Sequence, residues 1–147
     1  MIIKHVPVEY CAQNWYLVEP FIAEAHKWGY GDYSVEQIKV FVMTGQWILL
    51  AVMNDNVIHG ALTVSFINYP NDRIGFVTAI GGRLISGQDT LQQLKDILKN
   101  FGATKIQGSA RPSVARLWRR LGFQERNRSE EHTSELQSHH DLVCRLL

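Results

Sequence analysis

From Arg73 to Phe123 the chain reads as a strand, a glycine-bearing loop, an amphipathic helix, a short strand, a second helix and a closing Gly122-Phe123. No other stretch restricts the fold so tightly. Arg73–Ile80 alternates as a strand. Asp89–Phe101 sets Leu91, Leu94, Ile97 and Leu98 on one helical face, with Gly102 as its cap. Lys105–Ala110 is a short strand. Val114, Leu117, Trp118 and Leu121 then recur at the i, i+3, i+4, i+7 spacing of a final helix.

Upstream, Met1–Val8 alternates as a first strand. Trp15, Leu17, Val18, Phe21, Ile22 and Ala25 supply a helical face, and Pro20 predicts a break, kink or helix start because it lacks an N–H. Ser34-Val35-Glu36-Gln37 is a capping box that opens a second helix, ended by Gly45. Gln46–Met53 and Val57–Tyr69 are strands joined by the turn residues Asn54-Asp55-Asn56. With 147 residues, 46% hydrophobic and 20% charged, the chain has room for one α+β domain and one sizeable core. The net charge of +1 points to no acidic partner. Cys11 and Cys144 are not in a metal-ligand spacing and give no disulfide framework, so the expected compartment is reducing and cytoplasmic. No apolar run is long enough to span a bilayer, and no membrane partner is expected.

The order β-α-α-β-β-β-α-β-α resembles the GNAT N-acetyltransferase superfamily across nearly all of 1–127. The resemblance implies a mixed, mostly antiparallel sheet with splayed central strands and flanking helices. It also implies acetyl-CoA as co-substrate, held on backbone groups at the end of the fourth strand and on the following helix start, where amides and the helix dipole suit phosphate. By that resemblance the cofactor-binding residues are Ile80, Gly81, Gly82, Arg83, Ser86, Gly87 and Gln88, with Arg111. The family loop Q/R-x-x-G-x-G/A is met only in part: Arg83 stands first, Gly87 comes one place late, and Asp89 brings a carboxylate nearby. A structural bend explains Gly81-Gly82 about as well.

The second family signature, N-x-x-A-x-x-L-Y-x-x-x-G-F, reads here Arg111-x-x-Val114-x-x-Leu117-Trp118-x-x-x-Gly122-Phe123. Trp118 stands where many family members carry a tyrosine general acid, and an indole N–H is too weak an acid for that task. It reads better as a core aromatic. Thr78 is the uncharged polar side chain of the fourth strand, and His59 on its neighbour is a candidate base or a structural histidine. Trp28, Tyr30, Asp32 and Tyr33 lie where GNAT acceptors enter and could orient a small-molecule or protein amine, or could pack as an ordinary loop. Arg116, Arg119 and Arg120 read as a solvated face, and nucleic acid is not an expected partner.

Within the superfamily, Tyr69-Pro70, Arg73, Gly81-Gly82, Gly102-Ala103 and Gly108-x-x-Arg111-Pro112 resemble a bacteriophage GNAT-like type. That type implies an infected bacterial cell, a virion association or a homo-oligomer, and an alternative role as a catalytically inactive interaction module.

The end of the chain reads differently. Arg128–Ser138 resembles the in-frame translation of a common sequencing adapter, with His139-His140-Asp141 over its index and Leu142–Leu147 matching the constant sequence beyond. On that reading 128–147 is a non-native tail and 1–127 a domain lacking its natural last strand. A metal site at His132, His139 and His140 is rejected, and none is expected elsewhere.

Overall fold

The computed structural model describes residues 1–27, 33–82, 88–110, 112–125 and 140–146. The elements run β1 (Ile2–Val6), α1 (Val8–Lys27), α2 (Val35–Met43), β2 (Ile48–Asn54), β3 (Val57–Asn68), β4 (Arg73–Gly82), α3 (Gln88–Asn100), β5 (Lys105–Ala110), α4 (Pro112–Arg120), β6 (Gln124–Glu125) and β7 (His140–Arg145). The strands form a seven-stranded mixed sheet in the order β1-β2-β3-β4-β5-β7-β6. The chain divides into two compact units, Met1–Phe66 with Val77–Ile85, and Ile67–Phe76 with Ser86–Leu147.

In the first unit, α1 buries a seam of Cys11, Trp15, Val18 and Ile22, which meets Ile38 and Val42 of α2 and Leu49, Ala61 and Ala79 of the sheet. This seam overrides Pro20, which lies inside one continuous helix and neither starts nor ends it. A proline in a helix interior costs roughly 3 kcal/mol, and each fully buried aliphatic side chain of the seam contributes about 1.5–3 kcal/mol. Leu17, expected on the apolar face, is 39% exposed. The capping box is present: Gln37 N–H donates to Ser34 Oγ at 3.1 Å, and Ser34 N–H donates to Gln37 Oε1 at 2.8 Å. β2 and β3 are joined by Asp55 and Asn56, both at positive φ (53° and 64°), the backbone that matches the twist of a hairpin.

In the second unit the buried residues include Leu91, Leu94, Leu98, Ile106, Ala115, Trp118, Phe123 and Leu142. α3 and α4 end alike. Ala103 N–H donates to Leu98 O and Gly102 N–H to Lys99 O; Phe123 N–H donates to Trp118 O and Gly122 N–H to Arg119 O. With Gly102 at φ 86° and Gly122 at φ 107°, both are Schellman caps.

One expectation needs correction. β4 does not stop at Ile80 but runs through Gly81 and Gly82, so these glycines are strand and not loop. Beyond residue 127 the described residues add one further strand, within the segment 128–147. β7 pairs antiparallel with β5 from Lys105↔Arg145 to Ala110↔His140 and with β6 through Gln124↔Val143. Leu142, Cys144 and Leu146 alternate inward, the period-2 pattern of a half-buried strand, and are 0%, 9% and 4% exposed.

Candidate active site

The second half of β4 and the β3 residues beside it carry five of the described predicted site residues, His59, Thr78, Ile80, Gly81 and Gly82. Gly81 is required by sterics. A β-carbon there would meet the carbonyl oxygen of Phe21 in α1, with the carbonyl carbon only 2.7 Å away. Gly82 has φ 83°, and a β-carbon would lie 2.6 Å from Gly60 Cα and 2.6 Å from Phe21 Cδ1, besides meeting the His59 carbonyl oxygen. The backbones of α1, β3 and β4 thus converge at the glycine pair, which is the structural-bend explanation in atomic terms.

His59 lies at a register shift. Val52 pairs with Gly60 and Met53 with Ile58, which leaves His59 as the extra residue of a β-bulge. A bulge re-aims the side chain it carries, and His59 is half-buried. Thr78 is also half-buried, and its hydroxyl is engaged: Oγ donates to the Thr63 carbonyl at 3.1 Å and lies 2.8 Å from the Thr63 hydroxyl. Thr63 is fully buried, so this pair satisfies a hydroxyl that has no access to water. Ile80, between Ala79 and Gly81 on the strand, is half-buried.

In the other unit, Gln88 opens α3 and Asp89 occupies its first turn. Asp89 Oδ2 accepts from Gln93 Nε2 at 3.2 Å, which draws the carboxylate along the helix toward the next turn. Trp118 is 4% exposed and packs on Phe123 with ring centroids 5.1 Å apart. These are the positions C3 and C″ of the Schellman cap, where an apolar contact is usual. The spacing Trp118-x-x-x-Gly122-Phe123 is therefore a helix-termination device, and Trp118 is a core residue. Arg119 pairs with Glu125 at 2.9 Å; Arg116 and Arg120 are exposed.

Arg73 braces the turn after α3. Its Nε donates to Phe101 O at 2.9 Å and its Nη1 to Asn68 Oδ1 at 2.8 Å. Beside it Thr104 Oγ donates to Asp72 Oδ1 at 3.0 Å, and Lys105 Nζ lies 3.0 Å from Asp72 Oδ2. These donors and cations hold the Asp72 carboxyl below the usual carboxylate range.

Of the proposed acceptor residues, Tyr33 is described. It meets Phe41 and Trp47 edge-on, at 5.8 and 4.9 Å, while Phe41 stacks on Trp47 at 4.5 Å. Tyr33 lines an open groove of about 360 Å³ with Glu36, Gln37, Val40 and Phe41. The sequence reading did not single out these four; the signal was an acid and two apolar residues one turn apart in α2. Arg83, Ser86, Gly87, Arg111, Trp28, Tyr30 and Asp32 lie outside the described residues. Among the described residues no His, Cys, Asp and Glu cluster could hold a metal ion, and no helix is long and apolar enough to cross a membrane.

No protein-family model matches this chain, and neither does any curated protein sequence. Solved structures do match. An aminoglycoside 6'-acetyltransferase type Ii superposes with a TM-score of 0.69 at 13% identity, over 100% of this chain and 98% of that one. This is the GNAT fold. A GNAT-family acetyltransferase from Streptococcus pneumoniae matches with a TM-score of 0.59 at 13% identity, over 98% of each chain. A chain of the NatC complex, solved bound to Gag peptide and CoA, matches with a TM-score of 0.61 at 15% identity, over 100% of both.

Proposed function

We propose that this GNAT-fold chain is an acyl-CoA-dependent N-acyltransferase that acetylates a primary amine. The observation that carries the reading is the fold itself, shared from end to end with acetyltransferase structures. Acetyl-CoA is the donor in this reading, as CoA is bound in the NatC structure. Backbone groups of Ile80, Gly81 and Gly82, first-turn amides from Gln88, and Arg83, Ser86, Gly87 and Arg111 are assigned to it; Trp28, Tyr30, Asp32 and Tyr33 are assigned to the amine. The neutral amine attacks the thioester carbonyl, a C–N bond forms, the C–S bond breaks and the thiolate leaves. The ammonium proton passes to water or to the His59 imidazole. The Thr78 proton is already donated to Thr63 O, so Thr78 contributes as an acceptor or through its place on the strand.

One observation favours a second reading, a phage-type GNAT-fold interaction module without catalysis. Gly81-Gly82 and the Trp118–Phe123 spacing each have a complete packing explanation that needs no substrate. On either reading we propose that 128–147 is a non-native, adapter-encoded tail, which independent resequencing of the gene tests. Calorimetric titration with acetyl-CoA separates the two functions. Micromolar binding supports the transferase, and no heat at millimolar acetyl-CoA removes it. Gly87→Asp places a carboxylate in the assigned phosphate loop and is expected to abolish binding.

A further inference from the structure

The groove on α2 has a composition that selects among amines. Glu36 and Val40 are one helical turn apart, as are Gln37 and Phe41, and Tyr33 precedes the helix cap. Phe41 is fixed by its stack on Trp47 and Tyr33 by edge contacts to both rings, so the aromatic wall is rigid. The Gln37 carbonyl oxygen accepts from the Ser34 amide, and the side-chain NH₂ adds two donors. Among the described lining residues the single ionic group is Glu36, exposed and with no ion pair. Val40 is 57% exposed, a large apolar side chain in water that lines the groove.

We infer that this groove binds a small organic monocation, a primary ammonium on one aromatic or branched aliphatic body. Glu36 faces the charge, and Tyr33, Val40 and Phe41 cover the apolar part. The volume of about 360 Å³ is at the small end for ligand sites and fits one ring with a short arm. Among the described lining residues one carboxylate stands with apolar groups, which matches a single positive charge. A polycation such as an aminoglycoside would bring several ammonium groups against aromatic rings and one acid, with the rest of its charge unpaired. Naming this ligand an acyl acceptor rests on the transferase reading; its binding does not, and is measured without acetyl-CoA.

The test is calorimetry on the full chain with 2-phenylethylamine, its neutral isostere 2-phenylethanol, and tobramycin. The amine is expected to bind up to about fivefold tighter than the alcohol, the range for one exposed ion pair. Glu36→Gln should bring the amine down to the alcohol's affinity and leave the alcohol unchanged. Val40→Lys sets a tethered ammonium one turn beyond Glu36, a favourable helical pairing, and should block the amine while leaving Tm unchanged or slightly raised. Equal affinity for amine and alcohol overturns the inference, as does amine binding indifferent to both substitutions, or tobramycin binding more tightly than the monoamine. Amine binding without acetyl transfer to that amine keeps the inference and removes 2-phenylethylamine as an acceptor. Acetyl transfer to 2-phenylethylamine undiminished by Val40→Lys does the reverse.

Discussion

The carbonyl oxygen of Phe21 in α1 occupies the space that a β-carbon on Gly81 of β4 would need. The obstacle is backbone on both sides, so no rotamer change relieves it. Gly81→Ala must push helix from strand, and the expected loss is about 2–4 kcal/mol, in the range of severe overpacking. Chemical denaturation measures it. A neutral Gly81→Ala would show that the glycine serves only a bound ligand.

The second prediction concerns the cap of α4. Gly122 has φ 107° with nothing within 4 Å of its missing β-carbon, so Gly122→Ala carries conformational cost alone, about 1 kcal/mol. Phe123→Ala removes a 3%-exposed ring and should cost about 3–5 kcal/mol. If transfer is observed, Trp118→Phe should keep its rate within about twofold, because the indole does no proton transfer. A loss of a hundredfold or more would return Trp118 to the chemistry, since that is the usual contribution of a general acid.

Much of this was legible because it is local. The Ser34–Gln37 box, the Asp55-Asn56 turn and the glycine caps each depend on residues within a few positions of one another. What escaped depends on partners distant in sequence. Pro20 could not be placed inside α1 until the Cys11–Ile22 seam showed what the helix buries. The His59 bulge exists only as a mismatch with Val52 and Met53. Gly81 reads as a loop glycine until α1 is set against β4. β7 is a different case: its Leu142-Cys144-Leu146 alternation is a short apolar pattern that follows a polar segment within 128–147.

A chain ended at Asn127 tests β7. It would lose Leu142, Cys144 and Leu146 from the interior and leave β5 and β6 without the strand they pair with. At about 1.5–3 kcal/mol for each large apolar side chain, the loss rivals the whole stability of a small domain. Loss of a cooperative thermal transition is expected; an unchanged Tm would make β7 dispensable.

Acid should act through Asp72. Its folded pKa lies below its unfolded value because Lys105 and Thr104 donate to the carboxylate. The resulting stabilisation is present above the usual carboxylate range and is lost as pH falls through the folded pKa. Urea midpoints followed from neutral pH downward should fall in that window, and Asp72→Asn should flatten that part of the curve. A parallel curve for the variant would assign the acid sensitivity to other groups.

The central claim is that this GNAT-fold chain moves an acetyl group from a thioester to an amine. Incubation with ¹³C-acetyl-CoA and a panel of primary amines, followed by mass spectrometry of the products and a count of free thiol, tests it most directly. The account predicts labelled N-acetylamine in one-to-one amount with released CoA, above the level without protein. Thiol release no faster than in buffer, with no labelled amide from any amine, would contradict it.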